Sequence, residues 1–322
     1  MSTVAIVLSA FNGEKYVEEQ LESLLNQSRK PDCVYISDDC STDRTVEIIK
    51  SFISSNKLNN WKLTVNQENK GWKHNFHDLI LSAKEDIIFL CDQDDIWYPE
   101  KVEEMSAVME KQENISLLAC GYDAKYEDDT RRVTKRITKH MKNTGEVTLV
   151  PMNEQFMNVI RPGCSYAVRR QFCHTIDRAW DLNLPHDAML WRCAVVSGSA
   201  YIYDRNLFSW RRYSTSSSTF NKEKSQKKNK YESLLEFYSG SAESHLIFLR
   251  SLSNLIDSSA LEADTAVRKT LSDSMEYEKG ILSSFQSKKI GKYIETAVKY
   301  RRFIPSIKTF IWTVFVINKA NH

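Results

Sequence analysis

Three carboxylates, Asp92, Asp94 and Asp95, fall within four positions directly after the apolar run Ile87–Cys91. Like charges a few ångströms apart raise one another's pKa, so a strand ending in such a cluster implies a cation that offsets the repulsion. Oxygen ligands suit Mg²⁺ or Mn²⁺, and such an ion suits a diphosphate. The alternative is a solvated acidic turn ahead of a helix beginning near Pro99. The triplet alone is weak, since roughly one chance Asp-x-Asp is expected in a chain of this length. Asp187, in Leu184-Pro185-His186-Asp187-Ala188-Met189-Leu190, stands where a helical pattern opens. Backbone amides orient a carboxylate there, which suits a base that takes a proton from an attacking hydroxyl; a plain capping role is the alternative. Arg211, next to Arg212, is a cation able to neutralise a departing diphosphate, or one half of a surface charge pair.

The elements that must position these groups alternate between strand and helix. Val4-Ala5-Ile6-Val7-Leu8 reads as a central strand buried on both faces. Apolar positions Tyr16, Val17, Leu21, Leu24 and Leu25 then follow helical spacing. A second strand, Val34–Ser37, ends in Asp38-Asp39, and Ser41-Thr42-Asp43 can cap a helix carrying Val46, Ile49 and Ile53. A third strand is expected at Trp61–Val65, with a helix after Gly71 leading to the strand that ends at the carboxylates. The pattern predicts an α/β fold with a mixed, mainly parallel sheet flanked by helices. Ligands of such sheets bind beyond the carboxyl ends of the strands, and three of those ends carry polar residues: Ser9 with Asn12, Asp38 with Asp39, and the Asp92 cluster. No glycine-rich phosphate loop follows the first strand, so neither a dehydrogenase nor a P-loop enzyme is indicated.

Val7-Leu8-Ser9-Ala10-Phe11-Asn12, Ser37-Asp38-Asp39-Cys40-Ser41-Thr42-Asp43 and Cys91-Asp92-Gln93-Asp94-Asp95-Ile96-Trp97 together resemble the motif set of family 2 glycosyltransferases, and the pair His186-Asp187 resembles the form found in the rhamnosyltransferase-like branch. The resemblance implies a GT-A (Rossmann-like) fold, a nucleotide-sugar donor and an inverting, metal-dependent transfer. It implies that Ser9 and Asp39 hold the donor's base, with Ala10, Phe11, Asn12, Gln93, Lys70 and Asn75 on the donor side. Asp94, helped by Asp92 and Asp95, would hold the divalent ion. Arg211 matches an arginine of the family, whereas Tyr213 stands where relatives carry histidine. Gly163 and Cys164, in a turn running into a strand, would lie beneath the sugar and acceptor with Trp97 and His186, and Asp187 matches the catalytic base. A glycine at 163 lets backbone approach a ligand closely.

Residues 123–147 are highly charged and read as a solvated excursion. The expected division is a catalytic domain over 1–215, with a nucleotide-binding half (1–100) and an acceptor half (101–215). A connecting stretch over 216–230 and a helical region over 231–322 follow. The tail sets basic residues beside the apolar segment Ile304–Ile317, too short to span a bilayer. It suits a helix lying on an anionic membrane, or a packed terminal helix. A net charge of +2 does not predict nucleic-acid binding. Seven cysteines without a Cys-x-x-Cys pair, and no signal-peptide pattern, give a cytoplasmic expectation with free buried thiols. The expected acceptor is a glycan or lipid-linked saccharide. Nucleotidyl transfer, a UDP-hexose or UDP-N-acetylhexosamine donor, and a non-catalytic nucleotide-sugar-binding homologue are the competing readings.

Overall fold

The computed structural model describes residues 1–127, 141–213 and 230–320. The first strands follow the apolar runs: β1 (Val4–Ala10), β2 (Cys33–Asp38), β3 (Trp61–Val65) and β4 (Ile87–Asp92). Helices α1 (Val17–Leu25), α2 (Thr45–Ser55) and α3 (Trp72–Ser82) connect them. β5 (Ile96–Trp97), α4 (Lys101–Lys111), β6 (Leu117–Tyr126), β7 (Val147–Leu149), β8 (Tyr166–Arg169), α5 (Arg170–Ile176), α6 (His186–Val196) and β9 (Ala200–Arg212) follow. One sheet runs β3-β2-β1-β4-β8-β6-β9-β5, with β7 also on β9. β3, β2, β1 and β4 pair in parallel, and β8 opens the second half by pairing antiparallel to β4. The order reverses between β1 and β4, the place beyond the strand ends where open α/β sheets bind their ligands.

Two local expectations change. Asp123–Tyr126, assigned above to a solvated excursion, completes β6 by pairing with β9, so ladder hydrogen bonds outweigh the charge of the segment. The rest of that excursion lies partly outside the described residues, as does nearly all of the expected 216–230 connection. β9 is a single strand of 13 residues, because β6, β5 and β7 all pair with it. Ser41-Thr42-Asp43 does not supply the N-cap of α2; Asp43 accepts the Thr45 amide at 3.0 Å from just before the helix. The seven cysteines are all free, and six are buried.

By internal contacts, described residues 1–127, 141–151, 159–177 and 182–213 form one compact unit. A second comprises 152–158, 178–181 and 230–320. Its helices are α7 (Lys230–Asp257), α8 (Thr265–Ser287), α9 (Ile290–Lys299) and α10 (Ile307–Lys319). Leu235, Ile281, Phe285, Tyr293, Val316 and Ile317 form its core. Asp264 caps α8 by accepting the Val267 amide at 2.8 Å, and Ser306 caps α10 by accepting that of Thr309 at 3.1 Å. No helix among the described residues is long and apolar enough to cross a membrane.

Candidate active site

Register gathers the polar strand ends. Ser9 on β1 lies opposite Ser37 on β2 and Asp92 on β4, and Ala10 lies opposite Asp38. Beyond them the two central strands are tied by one side chain. Gln93 accepts the Phe11 amide at 2.9 Å and donates to the Phe11 carbonyl at 2.9 Å. Asn12 accepts the Thr42 amide at 2.9 Å, and its own amide donates to Ser41 Oγ at 2.8 Å, which joins the β1 and β2 tips. Asp38 is turned inward, taking the Ser41 amide and hydroxyl.

Asp39 is buried and holds the loop after β3. Its Oδ1 accepts from Asn66 Nδ2 at 3.0 Å and the Lys70 amide at 2.9 Å, and its Oδ2 from the Gly71 amide at 2.8 Å. Gly71 has φ 81°, a conformation suited to glycine, and α3 starts from it. Asn75, one turn into α3, donates to Ser9 Oγ at 2.8 Å and to the Ser37 carbonyl at 3.0 Å, and accepts from Ser37 Oγ at 2.5 Å. Asp39, Asn75 and Ser9 are therefore joined, through Asn66, in one connected network. Lys70 enters through its backbone; its ammonium pairs with Asp78 at 2.9 Å. Asn66, which also donates to Asn75 at 3.1 Å, had no motif to announce it.

At the carboxylates the chain departs from expectation. Asp92 and Asp95 come together with Cys164, each offering an atom within 4.8 Å of the others. The Asp94 carboxylate instead accepts the Tyr213 hydroxyl at 2.7 Å. Burial, and then the Asp94 charge, push Asp92 up to about 7. Burial and both neighbouring carboxylates raise Asp95 well above the ordinary range, and burial also raises Asp94. Asp95 Oδ1 accepts the Arg211 amide at 3.3 Å, while Oδ2 has no conventional donor among the described residues. Repelling, desolvated oxygens with spare acceptor capacity fit a divalent ion such as Mg²⁺ or Mn²⁺. Cys164 is held as the neutral thiol by burial, so the oxygens are the ligands that suit such an ion.

Two assignments are corrected. Arg211 does not present an open guanidinium to a diphosphate: its Nε donates to the Asp94 carbonyl at 2.8 Å, and its other arms pair with Glu19 and Glu127. The plane lies over Tyr16 at 4.4 Å. Arg211 thus fixes the Asp94–Asp95 turn, its charge already compensated by two carboxylates. Trp97 is 2 % exposed and sits in the core against Phe89, because pairing of β5 with Phe208 on β9 turns the indole inward. It cannot touch an acceptor there. A second residue that sequence reasoning missed is Lys101, fully buried at the start of α4. Its ammonium donates to the Cys164 carbonyl at 2.7 Å and lies 3.6 Å from the Trp97 ring centre and 4.3 Å from that of Phe208. From there it opposes the rise of the Asp92 and Asp95 pKa values.

Asp187 lies in the first turn of α6, which starts after Pro185, and accepts the Ala188 amide at 2.8 Å. Burial raises its pKa despite that bond and the Arg192 charge. His186 stacks on Phe76 of α3 at 4.0 Å and meets the edge of Trp72, which is 41 % exposed, at 5.7 Å. Burial lowers its pKa to about 3, so the ring is neutral, and neither nitrogen has a hydrogen-bond partner among the described residues. Gly163 lies directly beneath this pair. A Cβ there would fall 2.8 Å from His186 Nε2 and 3.1 Å from Asp187 Cβ. Gly163→Ala is therefore expected to displace Asp187 and lower kcat by about 10²-fold, with a much smaller change in donor affinity. Steady-state kinetics with donor titration checks this, and unchanged kcat would show that the two side chains move aside freely.

Comparison with known proteins identifies the family and the fold. The profile of "Glycosyl transferase family 2" matches residues 5–179. A dTDP-rhamnosyl transferase, RfbG, of Shigella flexneri is 27 % identical over 168 residues, 51 % of this chain and 54 % of that one. The poly(ribitol-phosphate) beta-N-acetylglucosaminyltransferase TarS of Staphylococcus aureus is 29 % identical over 121 residues, 37 % of this chain and 21 % of that one. The chain spans about half the length, or less, of the relatives it matches. Among solved structures, TarS 1-349 in complex with UDP-GlcNAc superposes with a TM-score of 0.55 at 16 % identity, covering 93 % of this chain and 91 % of that one. A mannosyltransferase from Pyrobaculum calidifontis in complex with GDP-Man and Mn²⁺ gives a TM-score of 0.51 at 10 % identity, covering 99 % and 86 %. With the profile spanning more than half of the sequence and the sheet shared with these neighbours, the chain belongs to glycosyl transferase family 2 and has the GT-A fold.

Proposed function

We propose that this chain is an inverting, metal-dependent glycosyltransferase that moves a sugar from a nucleotide-sugar donor to a hydroxyl of a glycan or lipid-linked saccharide. Its expected setting is the cytoplasmic side of surface-polysaccharide synthesis. The observation that carries the reading is the register of Ser9 with Asp92, which sets the Asp39 network beside a desolvated carboxylate pair. The donor's base lies against Ser9 and Asp39, flanked by Ala10, Phe11, Asn12, Gln93 and the Lys70 backbone. Asp92 and Asp95, with Asp94 beside them, hold the divalent ion, which supplies positive charge to the diphosphate. Asp187 takes the acceptor proton as the hydroxyl oxygen attacks the anomeric carbon and the nucleoside diphosphate leaves with the bonding pair. Neutral His186 and the Gly163–Cys164 turn border the sugar and acceptor. The catalytic portion is residues 1–215, followed by a connection over 216–230 and the helical region.

The likeness to RfbG favours L-rhamnose from a dTDP donor, and that to TarS a UDP-N-acetylhexosamine. Release of nucleoside diphosphate from dTDP-rhamnose, UDP-glucose, UDP-GlcNAc and GDP-mannose, with and without Mn²⁺, separates them. Donor binding with no release for any sugar would establish a non-catalytic nucleotide-sugar-binding protein instead.

Metal dependence has its own signature. Asp92 titrates near 7 in the fold but near 3.8 in an unfolded chain, so the folded state holds the extra proton. Stability from this group is thus present below about 4 and is lost as pH rises to about 7. A divalent ion competes with that proton, so Mn²⁺ is expected to raise Tm by several degrees more at pH 8 than at pH 5. Asp92→Asn should erase the difference. An equal shift at both pH values would place the ion elsewhere.

A further inference from the structure

The second unit carries an apolar face that lies largely outside its own core, with Trp312 Nε1 donating to the Tyr238 hydroxyl at 3.3 Å and the Phe315 ring meeting that of Tyr231 at 5.6 Å. On α10, Ile307, Ile311 and Phe315 repeat every four residues at 75 %, 60 % and 38 % exposure, with Trp312 at 45 %. At 3.6 residues per turn, these four fall within about 140° of arc, together with Lys308 and Lys319. Buried Thr313, Val316 and Ile317 lie on the opposite side. On α9, Ile294 and Val298 form a second exposed apolar pair, with Lys299 and Lys292 exposed beside it. Between the two helices lies a groove of about 490 Å³ lined by Ala297, Val298, Arg301, Ile304, Ile307 and Phe310. Residues 288–320 hold eight lysines and arginines against one carboxylate, Glu295.

Large exposed side chains gathered on one face mark a binding surface rather than ordinary surface scatter. Charge decides what binds it. A protein partner that buried this face would have to cover a strongly basic rim, whereas an anionic bilayer meets apolar side chains with its acyl region and cations with its headgroups. An exposed tryptophan among lysines has the amphipathic form that settles at that boundary. We propose that α9 and α10 dock this protein on an anionic phospholipid surface, with Ile307, Ile311, Trp312 and Phe315 entering the headgroup boundary and Arg301, Lys299 and Lys308 facing lipid phosphates. No span is involved. The inference is independent of sugar transfer, because its test involves no turnover.

The full-length protein is floated with vesicles of phosphatidylcholine alone and with about one third phosphatidylglycerol added. Flotation only with the anionic vesicles is expected, together with a blue shift of tryptophan emission that Trp312→Phe reduces. Lys299→Glu/Arg301→Glu/Lys308→Glu should weaken binding by about tenfold or more, as should raised salt. Ile307→Ser/Ile311→Ser, at positions too exposed to support the fold, should weaken it as well. The proposal is overturned if the protein does not float, if neutral vesicles bind it equally, or if neither variant changes flotation. It is also overturned if these apolar positions prove to join two copies of the chain, seen as a dimer in light scattering that Ile307→Ser/Ile311→Ser dissociates.

Discussion

Asp187→Asn is expected to lower kcat by about 10³-fold while leaving donor affinity within a few-fold. Asparagine preserves the volume and the bond from the Ala188 amide, so the helix start survives and only the proton acceptor is lost. The pH profile gives the sharper readout. Burial lifts Asp187 above its ordinary 3.8, which makes its ionised form a stronger base than a solvated aspartate. Activity should fall as pH drops through that raised value, and the limb should disappear in the variant. Measurement of kcat and donor Kd across pH checks both parts. Near-normal turnover in Asp187→Asn would remove the residue from proton transfer and leave it a helix-start carboxylate.

Lys101→Met should be the most damaging single change to stability, costing about 3–5 kcal/mol at pH 8. Methionine fills nearly the same space between Trp97 and Phe208, so packing is kept. What disappears is the buried ammonium whose charge offsets Asp92 and Asp95. The Cys164 carbonyl loses its donor at the same time, which loosens the turn that carries Gly163 beneath Asp187. The effect should depend on pH in a stated direction. Once Asp92, pushed up to about 7, takes up its proton, the missing ammonium has less charge to balance, so the cost should shrink at pH 5. Thermal melts of both proteins at pH 5 and pH 8 test this, with a drop of about 10 °C expected at the higher pH. A loss independent of pH would make Lys101 a packing residue, not a counter-ion.

These two residues show where reading residues in order stops. The place of Asp187 at a helix start was legible because a carboxylate, a proline and a helical pattern stand within a few positions of each other. Nothing near Lys101 in sequence marks Phe208 or Cys164 as its neighbours. Arg211 failed in the opposite direction. Its sequence context offers a cation for a diphosphate or one half of a surface charge pair, because Glu19 and Glu127, which compensate it, are distant in the chain. Trp97 was placed at the acceptor from its position in a motif, yet which face of a two-residue strand turns inward depends on its partner in β9.

The amino-acid order by itself determined the alternation of strands and helices, the polar strand tips at Ser9, Asp39 and Asp92, and the acidic turn that follows. Each of these is set by neighbours within one element, through side-chain period and turn chemistry. Tertiary structure decided which tips share a register row and that Asp92 meets Asp95 and Cys164 while Asp94 turns to Tyr213. It also decided that Asp39 spends its oxygens on the 66–71 loop, and which cations are already paired. Those outcomes rest on contacts between residues dozens to hundreds of positions apart, where burial sets the strength of every charge and sequence spacing carries no information about it.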